Sequence, residues 1–253
     1  MICIAFSALA AAFASGLHAE GRVPTYASGS SYVASITEGV RIIFVNCQVL
    51  VICLALIYSW ATAQMALSLL AGFTRLELRL NADAYGWIEA MWGIGGLSGG
   101  VTPICLSRKA FDRNLLRFGV LLLPAATAGF SVAQGFWTTL LLHGLMGTAF
   151  AINLAICNSH ILRAVDARAI GRARNNLQAA IEAVGVGVFL SPIFYRDASV
   201  REVYLGFSLI LASAAAMLLV AHHRAERHAK ALPSVAPCER RDKPIPQTPC
   251  AFD

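Results

Sequence analysis

Charge is scarce in this chain. Of 253 residues only 13% are Asp, Glu, Lys or Arg, against 57% hydrophobic, where soluble domains run near 25% charged and about 45–50% apolar. Such a chain cannot cover its apolar surface with polar side chains, so lipid is expected to be its main solvent. The mean hydropathy of +0.64 agrees. Paired cysteines are also missing. Cys3, Cys47, Cys53, Cys105, Cys157, Cys238 and Cys250 form no CxxC, and none stands at metal-ligand spacing from a histidine. Five of them lie in apolar runs, where cysteine behaves as a small hydrophobe. A disulfide framework and a zinc site are therefore not expected, and neither metal nor cofactor is implied. Lysine is nearly absent. Lys109, Lys230 and Lys243 all lie outside the apolar runs, which leaves no Schiff-base site for a retinal-type photoreceptor.

What the chain does have is apolar length. Seven stretches are long enough to cross a bilayer, which takes about 20 residues. They are 2–19, 42–71, 87–107, 116–133, 138–161, 176–194 and 203–222. The second is long enough to tilt or to extend beyond the lipid. Pro124 and Pro192 fall in the fourth and sixth, and membrane helices tolerate proline better than soluble ones. The fold class expected is an all-α polytopic bundle over 1–222. The Pro- and charge-rich segment 223–253, containing LPSVAPCERRDKPIPQTPC, reads as a disordered tail.

No basic residue falls deep in a span. Of the 20 Lys and Arg, only Arg75, Arg79, Arg196 and Arg201 occupy one set of alternate loops; the other set and the tail hold the remainder. The positive-inside rule places the richer set, and with it the C-terminus, in the cytoplasm. The net charge of +6 thus has a membrane explanation, and no nucleic-acid partner is expected. With seven spans the N-terminus lies outside. MICIAFSALAAAFASGLHAEGR lacks the positive n-region of a signal peptide, and reads as an internal helix of a longer protein. The competing reading is a cleaved signal ending near Ala12-Phe13-Ala14.

Polar residues within the spans are the candidate functional groups, since an ionisable side chain at the bilayer centre costs about 2.5–3.5 kcal/mol and usually faces a cavity or a partner. Two acidic residues qualify, Glu89 and Glu182. Glu89 is near the outer edge, where it serves either as an interfacial residue beside Trp87 and Trp92 or as a functional one. Glu182 lies roughly 9 Å in from the cytoplasmic side at 1.5 Å per residue. Asn175, Gln178, Glu182 and Gly185 share one helix face, which should look inward. Interhelical hydrogen bonding and a substrate or proton path both account for it. His143 and Asn153 add further polarity to the fifth span, with Asn158 and His160, and Gln64 does so in the second.

The stretch YGWIEAMWGIGGLSGG, residues 85–100, is rich in glycine. Gly95 and Gly99 are four apart, as are Gly96 and Gly100, the spacing that lets helix backbones approach closely in lipid. A nucleotide loop is the competing idea. GxGxxG fails because Ser98 occupies the required position, and no phosphate-binding lysine stands beside it.

The order of parts resembles the C-terminal half of a major facilitator superfamily transporter, nearest to the proton-driven multidrug and siderophore exporters. ITEGVRIIFVN precedes a long span; YGWIEAMWGIGGLSGG, a basic turn SRKAFDR, a hairpin of two spans and AIGRARNN follow in order. The resemblance covers residues 1–222, whose spans look like helices 6 to 12 of a twelve-helix fold. It implies a cytoplasmic gating turn at Asp112 and Arg113, although the glycine that follows this pair in the family's pattern is absent here. It likens Gly171 and Arg172 to the family's Gly-Arg pair. It also implies proton-coupled export of a small molecule across the cell's inner membrane, with no catalytic residue. Seven helices supply one wall of such a carrier. A second half-transporter or a further copy of the chain is then the expected partner, beside the lipid bilayer and the substrate.

Two readings from other classes compete. One is a non-transporting membrane scaffold or decayed fragment. The other is a rhomboid-like intramembrane serine protease, since Gly96-Leu97-Ser98-Gly99 spells its nucleophile motif and His143 lies two spans later. Counted along the helices, however, Ser98 and His143 sit about 8 Å apart in depth, too far for a nucleophile and its base.

Overall fold

The computed structural model describes residues 32–105, 109–165, 169–195 and 198–231. The predicted first span, 2–19, lies outside the described residues. The chain divides into two units, Met1–Ser35 and Ile36–Asp253, and the helices below from α2 onward belong to the second. Among the described residues there are seven α-helices and no strand. These are α1 (Tyr32–Val45), α2 (Cys47–Gly72), α3 (Ala82–Cys105), α4 (Lys109–Val132), α5 (Phe136–Ala164), α6 (Ile170–Leu190) and α7 (Val200–Ala231).

Four segments are long and apolar enough to cross a membrane: Cys47–Glu77, Asn114–Val132, Phe136–Ala164 and Val200–Ala225. They correspond to four of the predicted spans. The spans expected at 87–107 and 176–194 are helical but fall short of that apolarity. In α3 the glycines and Glu89 dilute the hydropathy. In α6 the sequence RARNNLQ at the start and Glu182 beyond it do the same.

Several boundaries move for local reasons. The long run 42–71 is two elements, because Asn46 adopts an extended conformation and caps α2. Its side chain accepts from the backbone N–H of Gln48 at 3.0 Å and of Val49 at 3.5 Å, satisfying two of the donors a helix start leaves open. α2 then closes in a π-turn over Phe73–Glu77. α6 stops at Leu190 and gives way to a 3₁₀ turn over Ser191–Tyr195, because Pro192 has no N–H to continue the α-helical ladder, although Ser191 itself keeps helical dihedrals. Pro103 and Pro124 are accommodated inside α3 and α4. α7 continues to Ala231, past the expected tail boundary at 223, since HHRAERHAKA contains no glycine or proline to break it. The remainder of the expected tail, 232–253, lies outside the described residues.

α2 and α5 form the centre. α2 packs on α5, α6 and α7; α5 also packs on α3 and α4, and α4 on α7. Phe73, Phe130 and Tyr204 meet at one end of the core. Phe130 stacks on Tyr204 at 4.8 Å, and Phe73 meets both rings edge-on. At the same end Arg201 ties three elements together. Its Nε donates to Glu77 Oε2 and one terminal N–H to the Ser131 carbonyl, both at 3.2 Å. Two buried threonine hydroxyls are satisfied within their own helices: Thr62 donates to the Tyr58 carbonyl and Thr127 to that of Leu123.

The closest helix contact is between α3 and α5. A Cβ on Gly95 would stand 2.0 Å from the Gly144 carbonyl oxygen, and one on Gly99 would stand 2.3 Å from that of Thr148. Reciprocally, a Cβ on Gly147 would lie 2.4 Å from the Trp92 carbonyl oxygen. The seam is therefore backbone against backbone. Gly96 and Gly100 point elsewhere, with nothing within 4 Å of a Cβ. Of the two four-residue glycine pairs in the sequence, one forms the seam and the other does not. Gly95→Ala and Gly147→Ala are each expected to destabilise the bundle by about 1–3 kcal/mol through overpacking. Gly96→Ala and Gly100→Ala should be neutral or stabilise by up to about 1 kcal/mol, the helix-propensity difference. Unfolding titrations in detergent micelles check the contrast, and equal effects at all four positions would refute the seam.

Candidate functional site: a carboxylate and an imidazole in an aromatic cleft

The glycine seam places the first turns of α3 and α5 side by side. Glu89, six residues before Gly95, reaches across to His143, the neighbour of Gly144. Glu89 Oε2 and His143 Nε2 are 3.2 Å apart. The histidine side chain is 2% exposed and the glutamate 38%. His143 is held by rings: Trp92 at 5.1 Å between centroids and Phe130 at 6.2 Å.

The exposed side of this pair opens on a cavity of about 220 Å³. Trp60, Gln64 and Leu67 of α2 line it, with Glu89 and Trp92 of α3 and His143 and Phe150 of α5. Trp60 meets Phe150 edge-on at 5.1 Å, and Trp92 leans on Phe150 at 5.6 Å. Three aromatic rings, one amide and one carboxylate–imidazole pair thus share one cleft. Glu89 and His143 are the two ionisable groups among its lining residues. α6 presents Gly185 beside Gln64, where a Cβ would make ordinary contact with the amide at 3.5 Å.

His143 Nδ1 is buried without a partner among the described residues. Just outside the cleft, burial and then the charge of Glu89 push the Tyr85 phenol above its ordinary range. Tyr204 from α7 lies behind Phe130, its hydroxyl buried with no partner among the described residues.

The other sequence candidates separate from this site. Asn153, ten residues along α5, is fully buried and donates from Nδ2 to Ser59 Oγ at 3.1 Å, with its Oδ1 against Gly119. It is a joint between α2, α4 and α5. Asn175, Gln178 and Glu182 do not enter interhelical packing. α6 buries Ala173, Leu177, Ile181 and Gly185, a four-residue stripe that turns the polar residues to the exposed surface. Gln178 Nε2 donates to Glu182 Oε1 at 2.6 Å within the helix. Gly185 therefore belongs with the buried stripe and not with the polar one. Asp112 and Arg113 stand in the first turn of α4, and their side chains lie outside the described residues. Arg172 pairs with Glu38 of α1. Ser98 Oγ donates to the Gly95 carbonyl and sits 3.2 Å from Thr148 Oγ1, while His143 is engaged by Glu89. Ser98 and His143 therefore form no dyad.

Sequence reading set Trp92 beside Glu89 but missed the partnership of Glu89 with His143 and the rings of Trp60 and Phe150 nearby. It also missed Gly144 and Gly147, whose three-residue spacing in HGLMG was the available signal for the second half of the seam. No family model matches this chain, and neither a curated protein nor a solved structure does so.

If the Glu89–His143 bond holds the cleft together, the two side chains are energetically coupled. A double-mutant cycle with Glu89→Ala and His143→Ala should return about 0.5–2 kcal/mol of interaction, the range for polar pairs in membrane bundles. Effects that add within about 0.3 kcal/mol would show that the bond contributes nothing.

Proposed function

We propose that this chain is one wall of a proton-coupled membrane carrier for a small molecule, of the major facilitator type, and that the Glu89–His143 cleft is its proton and substrate site. The observation that carries the reading is the cleft itself. A carboxylate bonded to a buried imidazole, faced by Gln64 and ringed by three aromatic side chains, opens into the bundle between α2, α3 and α5. Ionisable residues kept within a membrane bundle mark ion and substrate paths, and carrier sites lie between two opposed sets of helices.

In this reading seven helices span the bilayer, counting the predicted 2–19 together with α3 and α6. The two predicted spans that fall short of the apolarity needed to cross a membrane are then wall helices that contact the cavity or the second wall. A second half or a second copy of the chain supplies that wall. The distribution of basic residues among the loops supports a cytoplasmic C-terminus, and export across the cell's inner membrane is the direction assigned.

Glu89 gains a proton from one side and releases it to the other as the cleft changes its exposure. His143 orients the carboxylate by donating from Nε2, and binding of substrate alternates with protonation. The groups facing the pair from other helices are Gln64 and Trp60 of α2 and Phe130 of α4, none of which titrates in the relevant range. Glu182, on the exposed face of α6, is assigned to the rim. Proteoliposomes holding the full chain, an imposed pH gradient and a panel of cationic, anionic and neutral metabolites test the proposal. At least one panel member should move against its gradient, Glu89→Gln should abolish that movement, and Glu182→Gln should leave it. No gradient-driven movement of any class would overturn the reading.

A further inference from the structure

We infer that α1 lies on the membrane surface at the basic end of the bundle and, with the adjoining ends of α5 and α6, binds the headgroup of an anionic phospholipid through Arg41, Arg163 and Arg174. None of these residues lines the cleft described above, and occupation of this surface does not depend on transport.

Three observations support it. The first is how α1 is held. Its residues from Ile36 onward belong to the larger unit. A Cβ on Gly39 would stand 2.3 Å from Asn176 Nδ2 and 3.0 Å from the Arg172 carbonyl oxygen, so α1 rests directly on the first turns of α6. Glu38 pairs with Arg172 beside this contact. Ile43 is buried in a crevice that Cys53, Ile161 and Leu177 also line. The second is what the other side of α1 presents. Val40 is exposed, as are Phe44 at 66% and Val45 at 76%. Val40 and Phe44 stand four apart, as do Arg41 and Val45, so an apolar row runs beside an arginine. The 14 residues of α1 reach about 21 Å at 1.5 Å per residue, short of the roughly 30 Å of hydrocarbon in a bilayer. Such a face is matched by the boundary between headgroups and acyl chains, where helices with basic and aromatic side chains lie in the membrane plane.

The third is charge. Arg41, Arg163, Arg172 and Arg174 are the basic residues of α1, the last turn of α5 and the first two turns of α6, and Glu38 is the one acid. Glu38 is taken by Arg172. Arg41, Arg163 and Arg174 are exposed, and Arg174 lines the same crevice as Ile43. Arginine is always charged in proteins, so the positive surface does not depend on a protonation state. It lies at the end assigned to the cytoplasm, where the facing leaflet carries anionic lipid. Apolar side chains beside arginines also discriminate among anions. Free phosphate or a nucleic acid would meet the guanidinium groups and leave Phe44 and Val45 in water. A phospholipid supplies a phosphate for the first and acyl chains for the second.

The full chain in nanodiscs of mixed phosphatidylglycerol and phosphatidylcholine tests this. A fluorophore at position 44 (Phe44→Cys, the other cysteines replaced by alanine) reports which lipid touches α1. Brominated phosphatidylglycerol should quench it severalfold more strongly than brominated phosphatidylcholine at the same mole fraction. Arg41→Gln, Arg163→Gln and Arg174→Gln should each reduce that preference by up to about fivefold, the equivalent of the roughly 1 kcal/mol that one basic residue contributes near an anionic surface. Arg75→Gln, in the turn that closes the opposite end of α2, should leave it unchanged. Native mass spectrometry of the unsubstituted chain, extracted from the same lipid mixture, should show phosphatidylglycerol retained in preference to phosphatidylcholine. That measurement needs no variant, so a labelled chain that fails to fold does not leave the matter open. Equal retention or equal quenching by the two lipids would overturn the inference. So would a preference that survives all three arginine substitutions together, or a label reached only by water-soluble quenchers. Displacement of the retained lipid by millimolar glycerol phosphate would also overturn it, because the site would then take a free anion and not a membrane surface.

Discussion

The approach of α3 to α5 across Gly95, Gly99, Gly144 and Gly147 is the contact on which the rest of the site depends. It leaves no space for a single methyl group at Gly95 or Gly147. The same two helices carry Glu89 and His143, whose bond spans 3.2 Å. An ordinary helix pair, with axes 8–10 Å apart and side chains between them, would hold the carboxylate and the imidazole farther apart. The glycines are thus part of the chemistry. They fix the separation of Glu89, six residues before Gly95, and His143, next to Gly144, and they turn Trp92 in towards Phe150 while Trp87 faces out.

Magnitudes indicate why such a pair is informative. A carboxylate deep in a bilayer costs about 2.5–3.5 kcal/mol on insertion scales. A polar side-chain pair in a membrane bundle returns on average about 0.6 kcal/mol and at most about 1.7. The bond to His143 therefore does not offset full burial of Glu89. The structure handles the difference by leaving the carboxylate 38% exposed, on an open cleft, and burying only its imidazole partner. The aromatic rings take the apolar share of the lining. Trp60 and Phe150 pack edge-on, an arrangement worth about 0.5–1.5 kcal/mol beyond burial. A helix bundle built for stability alone would place leucine at 89 and 143. Retaining an acid against this balance is what gives the functional reading its weight.

Much of the helical fold could be read from the sequence, because apolar length is a one-dimensional signal. Six of the seven predicted spans fall on described helices, and the four most apolar meet the requirement for crossing a membrane. Errors arose where a short polar residue acted locally. Asn46 split one run into two helices by capping the second, and a window of hydropathy has no term for a cap. The site was less legible. Glu89 and His143 were each singled out, yet 54 residues separate them, and nothing in either local pattern says that they meet. The seam that joins them needs glycines on both helices in register, which is a property of the pair. α6 misled for a related reason. Its polar stripe was visible, but its packing face was decided by the smaller stripe Ala173, Leu177, Ile181 and Gly185, which fits against α2 and turns Glu182 outward.

The two predicted spans that fall short of the apolarity needed to cross a membrane also share a position. α3 packs mainly on α5, and α6 mainly on α2, so each flanks the central pair that carries Trp60, Gln64, His143 and Phe150. α3 leaves Gly96 and Gly100 facing open space; α6 leaves Gln178 and Glu182 exposed. Neither surface gains from contact with lipid tails. Bare glycine offers hydrocarbon little to pack against, and the Gln178–Glu182 pair still carries a charge that hydrocarbon cannot solvate. Both surfaces are better matched by protein or water: glycine by another helix at close range, and the carboxamide–carboxylate pair by a hydrated gap. A central pair lining a cleft, flanked by one close-packing edge and one wet edge, is the arrangement needed by a wall that must meet a second wall and still move against it. The proposed carrier requires that combination, whereas a scaffold held rigidly in lipid would have no use for the wet edge.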